Sequence, residues 1–290
     1  MRLQNKLIIF RLILQILKNK YNWILFVFIT NLSSSILHSQ SLTRISLSYN
    51  FNEYLPFWHK VNQLGVFDNN PSILSYDIRG YNSFFNYNFS IYSHKNKKIA
   101  FSLGFISKSI NNYELKAGRW INNITSESIL SSGSLITSKN ALPIPRISLE
   151  TNEYNKFKFF KFKFLLKAGI SHGWMSKEKY IEAPLLHEKF IYIKKLFKNQ
   201  TDLTVGLVHE AMWGGKTEIH GKQPNSFSDY FRVISFSSAS DSGLPQEQMN
   251  ALGNHLGIWD IALTRIQKNV EIKLYYQHPF EDGSGAYQYF

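Results

Sequence analysis

Between Phe157 and Ile170 the chain reads FKFFKFKFLLKAGI. From Phe160 onward the even positions are Phe160, Phe162, Phe164, Leu166, Ala168 and Ile170, while the odd ones include Lys161, Lys163 and Lys167. Steps of two residues scatter around a helix but fall on one face of a strand. The stretch predicts a strand with one apolar face and one wet, basic face. The same alternation recurs. Phe85, Tyr87, Phe89 and Ile91 share a face, a turn at 94–97 follows, and Ile99, Phe101, Leu103 and Phe105 share a face of the next strand. Together they read as a hairpin. Further strands are expected at 45–51, 113–120, 201–213, 229–237, 256–266 and 270–277. Several run ~9–11 residues, as a tilted strand needs to cross a bilayer, whereas soluble strands more often run ~5–6.

Between the strands the pattern weakens. Residues 53–64 predict a short helix, and 176–190 is ambiguous. Residues 121–148 are rich in Ser and Asn and end in Ala141-Leu-Pro-Ile-Pro-Arg146. Pro143 and Pro145 cannot both sit inside a central strand, so a long loop or plug segment is expected there. The chain returns to strand near Arg146, which would pin the loop through a wall carboxylate, since buried charges are usually paired. Residues 214–228 and 238–255 read as further loops. With no internal repeat and no flexible linker, the strands belong to one domain.

An apolar face on every strand needs a cover. A soluble sandwich would turn those faces inward; an outer-membrane barrel turns them outward and keeps polar residues inside. Strand length and an aromatic content of 16%, with 23 Phe and 16 Tyr, favour the membrane. The expected fold is therefore all-β, an antiparallel transmembrane β-barrel of the bacterial outer membrane, whole or incomplete, with a loop and short-helix plug segment.

The N-terminus fits that compartment. Arg2, Lys6, Arg11, Lys18 and Lys20 precede an apolar run at 23–29, and a polar stretch closes with Ser39. This is the plan of a secretory signal peptide over 1–39, which leaves 40–290 as the barrel domain. The alternative is an uncleaved membrane anchor. The formal charge is +13; without residues 1–39 it is +8, from 28 basic and 20 acidic residues. That balance suits an acidic polysaccharide or anionic lipid. A secreted chain without a helix-based reader argues against nucleic acid. With no cysteine, disulfides, thiolate metal sites and Cys nucleophiles are excluded.

Catalytic signals are thin. His187-Glu188 and His209-Glu210 lack the H-E-x-x-H spacing, and on a strand each dipeptide splits between two faces. Ser176-x-x-Lys179 has no companion motifs. Asp229, Asp241, Asp260 and Glu281 could supply carboxylate pairs for glycoside hydrolysis, but spacing alone does not pair them. No catalytic residue, metal or cofactor is assigned.

Several strings occur together: Leu115-Lys-Ala-Gly-Arg-Trp120, Leu130-Ser-Ser-Gly-Ser-Leu135, Ala141-Leu-Pro-Ile-Pro-Arg146, Leu186-His-Glu-Lys189, Gly206-Leu-Val-His-Glu210 with Trp213-Gly-Gly215, Gly253-Asn-His-Leu-Gly257, and Tyr276 to Gly285. In this order they resemble the Wzi-type capsule assembly proteins, outer-membrane β-barrels of Gram-negative bacteria. The resemblance implies a non-enzymatic role in assembling or attaching capsular polysaccharide or exopolysaccharide. The implied partners are acidic surface polysaccharide, outer-membrane lipid and polysaccharide export machinery. Members of that family are usually longer, which points to a C-terminally truncated member, with about ten strands in 40–290 at bilayer-crossing length. Against this, Tyr287-Gln-Tyr-Phe290 resembles the terminal aromatic signal of barrel proteins. The candidate glycan contacts are Arg119, Trp120, Lys161, Lys163 and Lys167; Pro143, Pro145 and Arg146 are the structural residues of the plug. Two other readings stand beside this one: an outer-membrane hydrolase of lipid or glycan, and a secreted soluble β-sandwich that binds carbohydrate.

Overall fold

The computed structural model describes residues 40–281, except 50–55, 68–71, 82–84, 95–98, 123, 126–130, 132, 178–179 and 241–242. The expected signal segment 1–39 and the terminal 282–290 lie outside the described residues.

Twelve strands form one sheet. In chain order the elements are β1 (Gln40–Tyr49), α1 (Phe57–Lys60), β2 (Ser72–Tyr81), β3 (Asn86–His94), β4 (Ala100–Ile110), β5 (Tyr113–Arg119), β6 (Arg146–Thr151), β7 (Asn155–Phe159), β8 (Phe162–Trp174), β9 (Leu185–Phe197) and β10 (Thr201–Trp213). Next come β11 (Lys216–Thr217), β12 (Gly221–Lys222), α2 (Phe227–Ser235), α3 (Pro245–Met249), β13 (Asn254–Gln267) and β14 (Val270–Phe280). The minute β11–β12 pair stands outside the main sheet. Neighbours in the sheet are neighbours in sequence and all pairs are antiparallel, an up-and-down meander. β6 and β7 follow one line along β8. Among the described residues the sheet is open: β1 and β14 are its edges and are not paired with each other. Twelve strands exceed the ten that fit at bilayer-crossing length, because β6 and β7, of 6 and 5 residues, are shorter than that; β2 and β9 are strands the alternation did not mark.

Register assigns each side chain to one of two faces. Ser107, Lys116, Ser148, Ser171, Glu188 and Glu210 lie across from one another on successive strands and share one face. One residue along, Ile106, Ala117, Ile147, His172, His187 and Ala211 share the other. The second face is the apolar one, and much of it is bare: Ile45, Leu47, Leu149, Ile193, Ile272 and Leu274 are all more than 40% exposed. The sheet therefore does not pack its greasy side on a second sheet among the described residues.

The two ends also differ. At one end the strands are joined by tight turns at 111–112, 160–161, 198–200 and 268–269. At the other end stand the long connections 120–145, 175–184 and 214–253.

Local details correct the sequence reading. Phe160 and Lys161 form the β7–β8 turn, with Phe160 at φ 53°, so the apolar stripe begins at Phe162. Phe157 of β7 continues it, its ring 5.2 Å from that of Phe164. A register shift at Ser90/Ile91 pairs Ile91 with Phe101 but Ser90 with Leu103. One extra residue changes the face. Phe101 stays on the apolar side while Leu103 and Phe105 turn to the polar side. The strand expected at 229–237 is instead α2; of the helix expected at 53–64, residues 53–55 lie outside the described residues, Phe57–Lys60 form α1 and 61–64 are turn. The ambiguous 176–190 gives way to β9 at Leu185.

α2 starts at a capping box, in which the Ser226 hydroxyl accepts from the Asp229 N–H and the Asp229 carboxylate accepts from the Ser226 N–H. It lies on the apolar face at the loop end. There Val233 packs with Ala211, Trp213 and Leu252, and Tyr230 stacks on Trp213 at 5.7 Å.

Candidate functional site

The polar face carries a built arrangement of charges beneath the segment between β5 and β6. Arg146 opens β6 and lies on this face because Ser148, two residues on, does. Its Nη1 donates to Glu188 Oε2 at 2.9 Å, and both side chains are almost wholly buried. Asn122 Nδ2 donates to Glu188 Oε1 at 2.7 Å, and Ser171 Oγ donates to the same oxygen at 3.3 Å. Glu210 stands directly across β9–β10 from Glu188 and brings a second carboxyl to the same point. A buried carboxylate is tolerated only with such donors around it.

The segment itself rests on this face. Ile124 packs with Phe190, Tyr192 and Val208, joined by Ile136 and Tyr154. The Leu135 N–H donates to Gln277 Oε1 at 3.2 Å, and Gln277 Nε2 donates to Asp260 at 3.4 Å. Tyr192 completes this chain. Its hydroxyl donates to Asp260 Oδ2 at 2.8 Å, reaching over Gly206 to do so. A Cβ at Gly206 would lie 2.0 Å from the Tyr192 ring, so only glycine leaves the path clear. The turns at 61–67 join this segment: the Leu64 N–H donates to Lys139 O at 2.7 Å and the Asn62 N–H to Asn140 Oδ1 at 2.7 Å. Behind residues 62–67 a cavity of about 310 Å³ is lined by Ser46, Ser48, Ser75, Asp77, Ser90 and Ser102 of β1–β4.

The expected site residues distribute as follows. Pro143 and Pro145 lead the segment into β6, where the Pro145 carbonyl accepts from the Trp174 N–H at 3.0 Å. Trp120 is 5% exposed. Phe105 meets its ring edge-on, and the Lys116 ammonium and Arg146 guanidinium lie 4.8 Å and 5.6 Å from it. These contacts leave little ring area for a sugar. Arg119 belongs to the opposite, apolar face and donates to Phe101 O at 3.3 Å. The structure therefore does not bring Arg119 and Trp120 together. Lys161 is in the β7–β8 turn; Lys163 and Lys167 share the polar face of β8, with Lys167 5.8 Å from the Phe190 ring. Three groups escaped the sequence: Glu188 and Asp260 as buried anchors, and Lys116. Glu188 stood in a stretch with no assigned element, so its face was not readable.

The histidines and carboxylates do not converge. His187 and His209 lie under α2 on the apolar face, while Glu188 and Glu210 lie on the polar one. His209 Nε2 and His255 Nδ1 share a 2.8 Å hydrogen bond, and His255 Nε2 lies 2.9 Å from Leu252 O. Asp229 caps α2 on one face of the sheet while Asp260 is buried on the other.

The polar face holds an inserted segment by one buried ion pair, hydrogen bonds and apolar packing, and the apolar face behind it is exposed. The family described as capsule assembly protein Wzi matches residues 28–289. The chain belongs to the Wzi capsule assembly protein family. No curated protein and no solved structure matches it. For this Wzi-family chain the sheet is all-antiparallel, its inserted segment 120–145 is bound to four distant strands, and its polar face carries both the basic residues and the buried carboxylates.

Proposed function

We propose that the protein is a non-enzymatic outer-membrane component that assembles or attaches capsular polysaccharide or exopolysaccharide at the cell surface. Membership of the capsule assembly family carries this reading, and the two-faced sheet supports it. The apolar face meets lipid, the polar face lines the interior of a barrel, and residues 120–145 are its plug. A signal peptide ending at Ser39 delivers the chain to the outer membrane. The acidic glycan contacts the basic stripe of the polar face, Lys163 and Lys167 with Lys116, while Lys161 stands at the rim and Trp120 acts by holding Lys116 and Arg146. No catalytic group is assigned.

The test has two arms. Heat-modifiability on a gel, run on outer-membrane fractions, reports barrel closure; a closed barrel migrates faster unboiled than boiled. Lys163→Gln with Lys167→Gln should then lower the amount of polysaccharide retained at the surface without lowering the amount of folded protein. Unchanged retention would remove the stripe from the glycan path. A soluble chain that needs no detergent would remove the membrane placement.

A further inference from the structure

The apolar face is interrupted where it should be continuous. On β9 the residues of that face are Leu185, His187, Lys189, Ile191, Ile193, Lys195 and Phe197, with Leu185 under the α2 cluster. Only Ile191 and Ile193 separate the two lysines. The six steps from Lys189 to Lys195 span ~20 Å along a strand, and at the ~40° tilt of a membrane strand that is ~15 Å of depth. An outer-membrane barrel presents an apolar band ~25 Å tall. The wall falls short by about one helix diameter, which is ~10 Å.

α2 stands at that gap. It covers His187 and His209 through Tyr230 and Phe236, with ring centroids 5.6 Å and 4.2 Å away. It also covers Lys189, whose ammonium donates to the Ile234 carbonyl near the helix C-terminus and sits 4.5 Å from the Phe236 ring. A lysine is favourable there, because the carbonyl end of a helix carries partial negative charge. The helix has three stripes. Asp229, Tyr230 and Val233 face the wall. Phe227, Phe231 and Ile234, spaced i, i+4 and i+7, form an apolar stripe, with Phe227 77% and Phe231 54% exposed. Ser228, Arg232 and Ser235, at the same spacing, form a polar stripe beside it. A helix that needed only to pack on the wall and face water would show two stripes. Three stripes fit a helix lying in a membrane interface, with one side on protein, one in acyl chains and one in water.

We propose that α2 is an in-plane helix at the lipid–water boundary, whose Phe227–Phe231–Ile234 stripe inserts among acyl chains and completes the apolar band that Lys189 interrupts. The proposal rests on the membrane reading of the sheet.

The chain has no cysteine, so single-cysteine variants carry one label each. Ile193→Cys on the wall, Phe231→Cys and Phe227→Cys on the apolar stripe, Ser228→Cys on the polar stripe and Lys222→Cys in the loop would be labelled with bimane. Each would be reconstituted in phosphatidylcholine vesicles with and without brominated acyl chains. The expected result is loss of most of the fluorescence at Ile193, Phe227 and Phe231 in brominated lipid, with much less loss at Ser228 and none at Lys222. Quenching at Ile193 with Phe227 and Phe231 behaving like Lys222 overturns the role of α2 and leaves the membrane wall standing. No quenching at Ile193 overturns both.

Discussion

Tyr192, Gly206 and Asp260 form a unit whose parts cannot be changed independently. Tyr192→Phe removes a hydrogen bond to a buried carboxylate, and such charge-assisted bonds contribute about 1.5–3 kcal/mol. Gly206→Ala acts from the other side: its Cβ would lie 2.0 Å from the Tyr192 ring, so the ring must leave its position. The variant loses the same bond and adds strain in a packed core of about 1–3 kcal/mol, for a total of about 2.5–6 kcal/mol. Once Gly206→Ala has displaced the ring, the hydroxyl has nothing left to lose. The double variant should therefore be no less stable than Gly206→Ala alone, a coupling of about 1.5–3 kcal/mol where independent sites add within ~0.5 kcal/mol. Urea midpoints read by tryptophan fluorescence, with the protein in detergent micelles, measure all four corners of the cycle. Additive losses would mean that Tyr192 does not need the open path over Gly206, and the linkage from Asp260 through Gln277 to Leu135 would lose its keystone.

Arg146→Met leaves Glu188 buried without its cation and should cost about 3–5 kcal/mol, with residues 120–145 becoming sensitive to added protease; intact protection would rule out Arg146 as the latch. Gly118→Ala meets Gly104 O at 2.1 Å and a φ of +128°, so it should break the β4–β5 ladder and lower the yield of folded protein, whereas Gly133→Ala, with nothing within 4 Å of its Cβ, should cost about 1 kcal/mol for a left-handed alanine. Burial opposes the charge of Asp229, but hydrogen bonds from the Ser226 side chain and backbone, together with Arg232, outweigh it and hold the carboxyl below its ordinary value of 3.8. A depressed carboxyl contributes stability that is present above its unfolded value and is lost as pH falls through the folded one. Hydrogen exchange of 227–236 should thus be unchanged from pH 7 to about 4 once corrected for intrinsic rates, then rise in acid; Asp229→Asn should start high and stay flat.

The strands that the sequence displayed well were those with one bare face. β10 alternates Leu203, Val205 and Leu207 with Asp202, Thr204 and Gly206, and its observed limits match those expected. β9 hid because His187 and Lys189 follow Leu185 on its apolar face and break the alternation; α2 covers those two. α2 hid in turn because its three stripes mimic a short alternating run. The capping box at Ser226 and Asp229 was the signal that could have exposed it. That the segment before β6 is not strand was legible from Pro143 and Pro145, since missing N–H groups exclude a ladder. Its anchors were not, because Asn122, Glu188 and Gln277 meet only through register. The split between Arg119 and Trp120 was likewise invisible: β5 ends between them, and the phase of a strand says nothing of the residue beyond it.

The meander has a consequence for the order in which the molecule forms. Each hairpin closes a short loop, so β3–β4 or β13–β14 can pair as soon as its residues are available. Residues 120–145 cannot follow suit. Asn62, Leu64 and Phe105 meet them from earlier in the chain, but Phe190, Val208, Asp260 and Gln277 lie on strands that come 45 or more residues later. Contacts of such long sequence separation carry a larger loop-closure cost and form slowly. The segment on the polar face is thus synthesised in the middle of the chain yet completes its contacts near the end, and a molecule stalled before β9 would hold it without the partners of Asn122, Ile124 and Leu135.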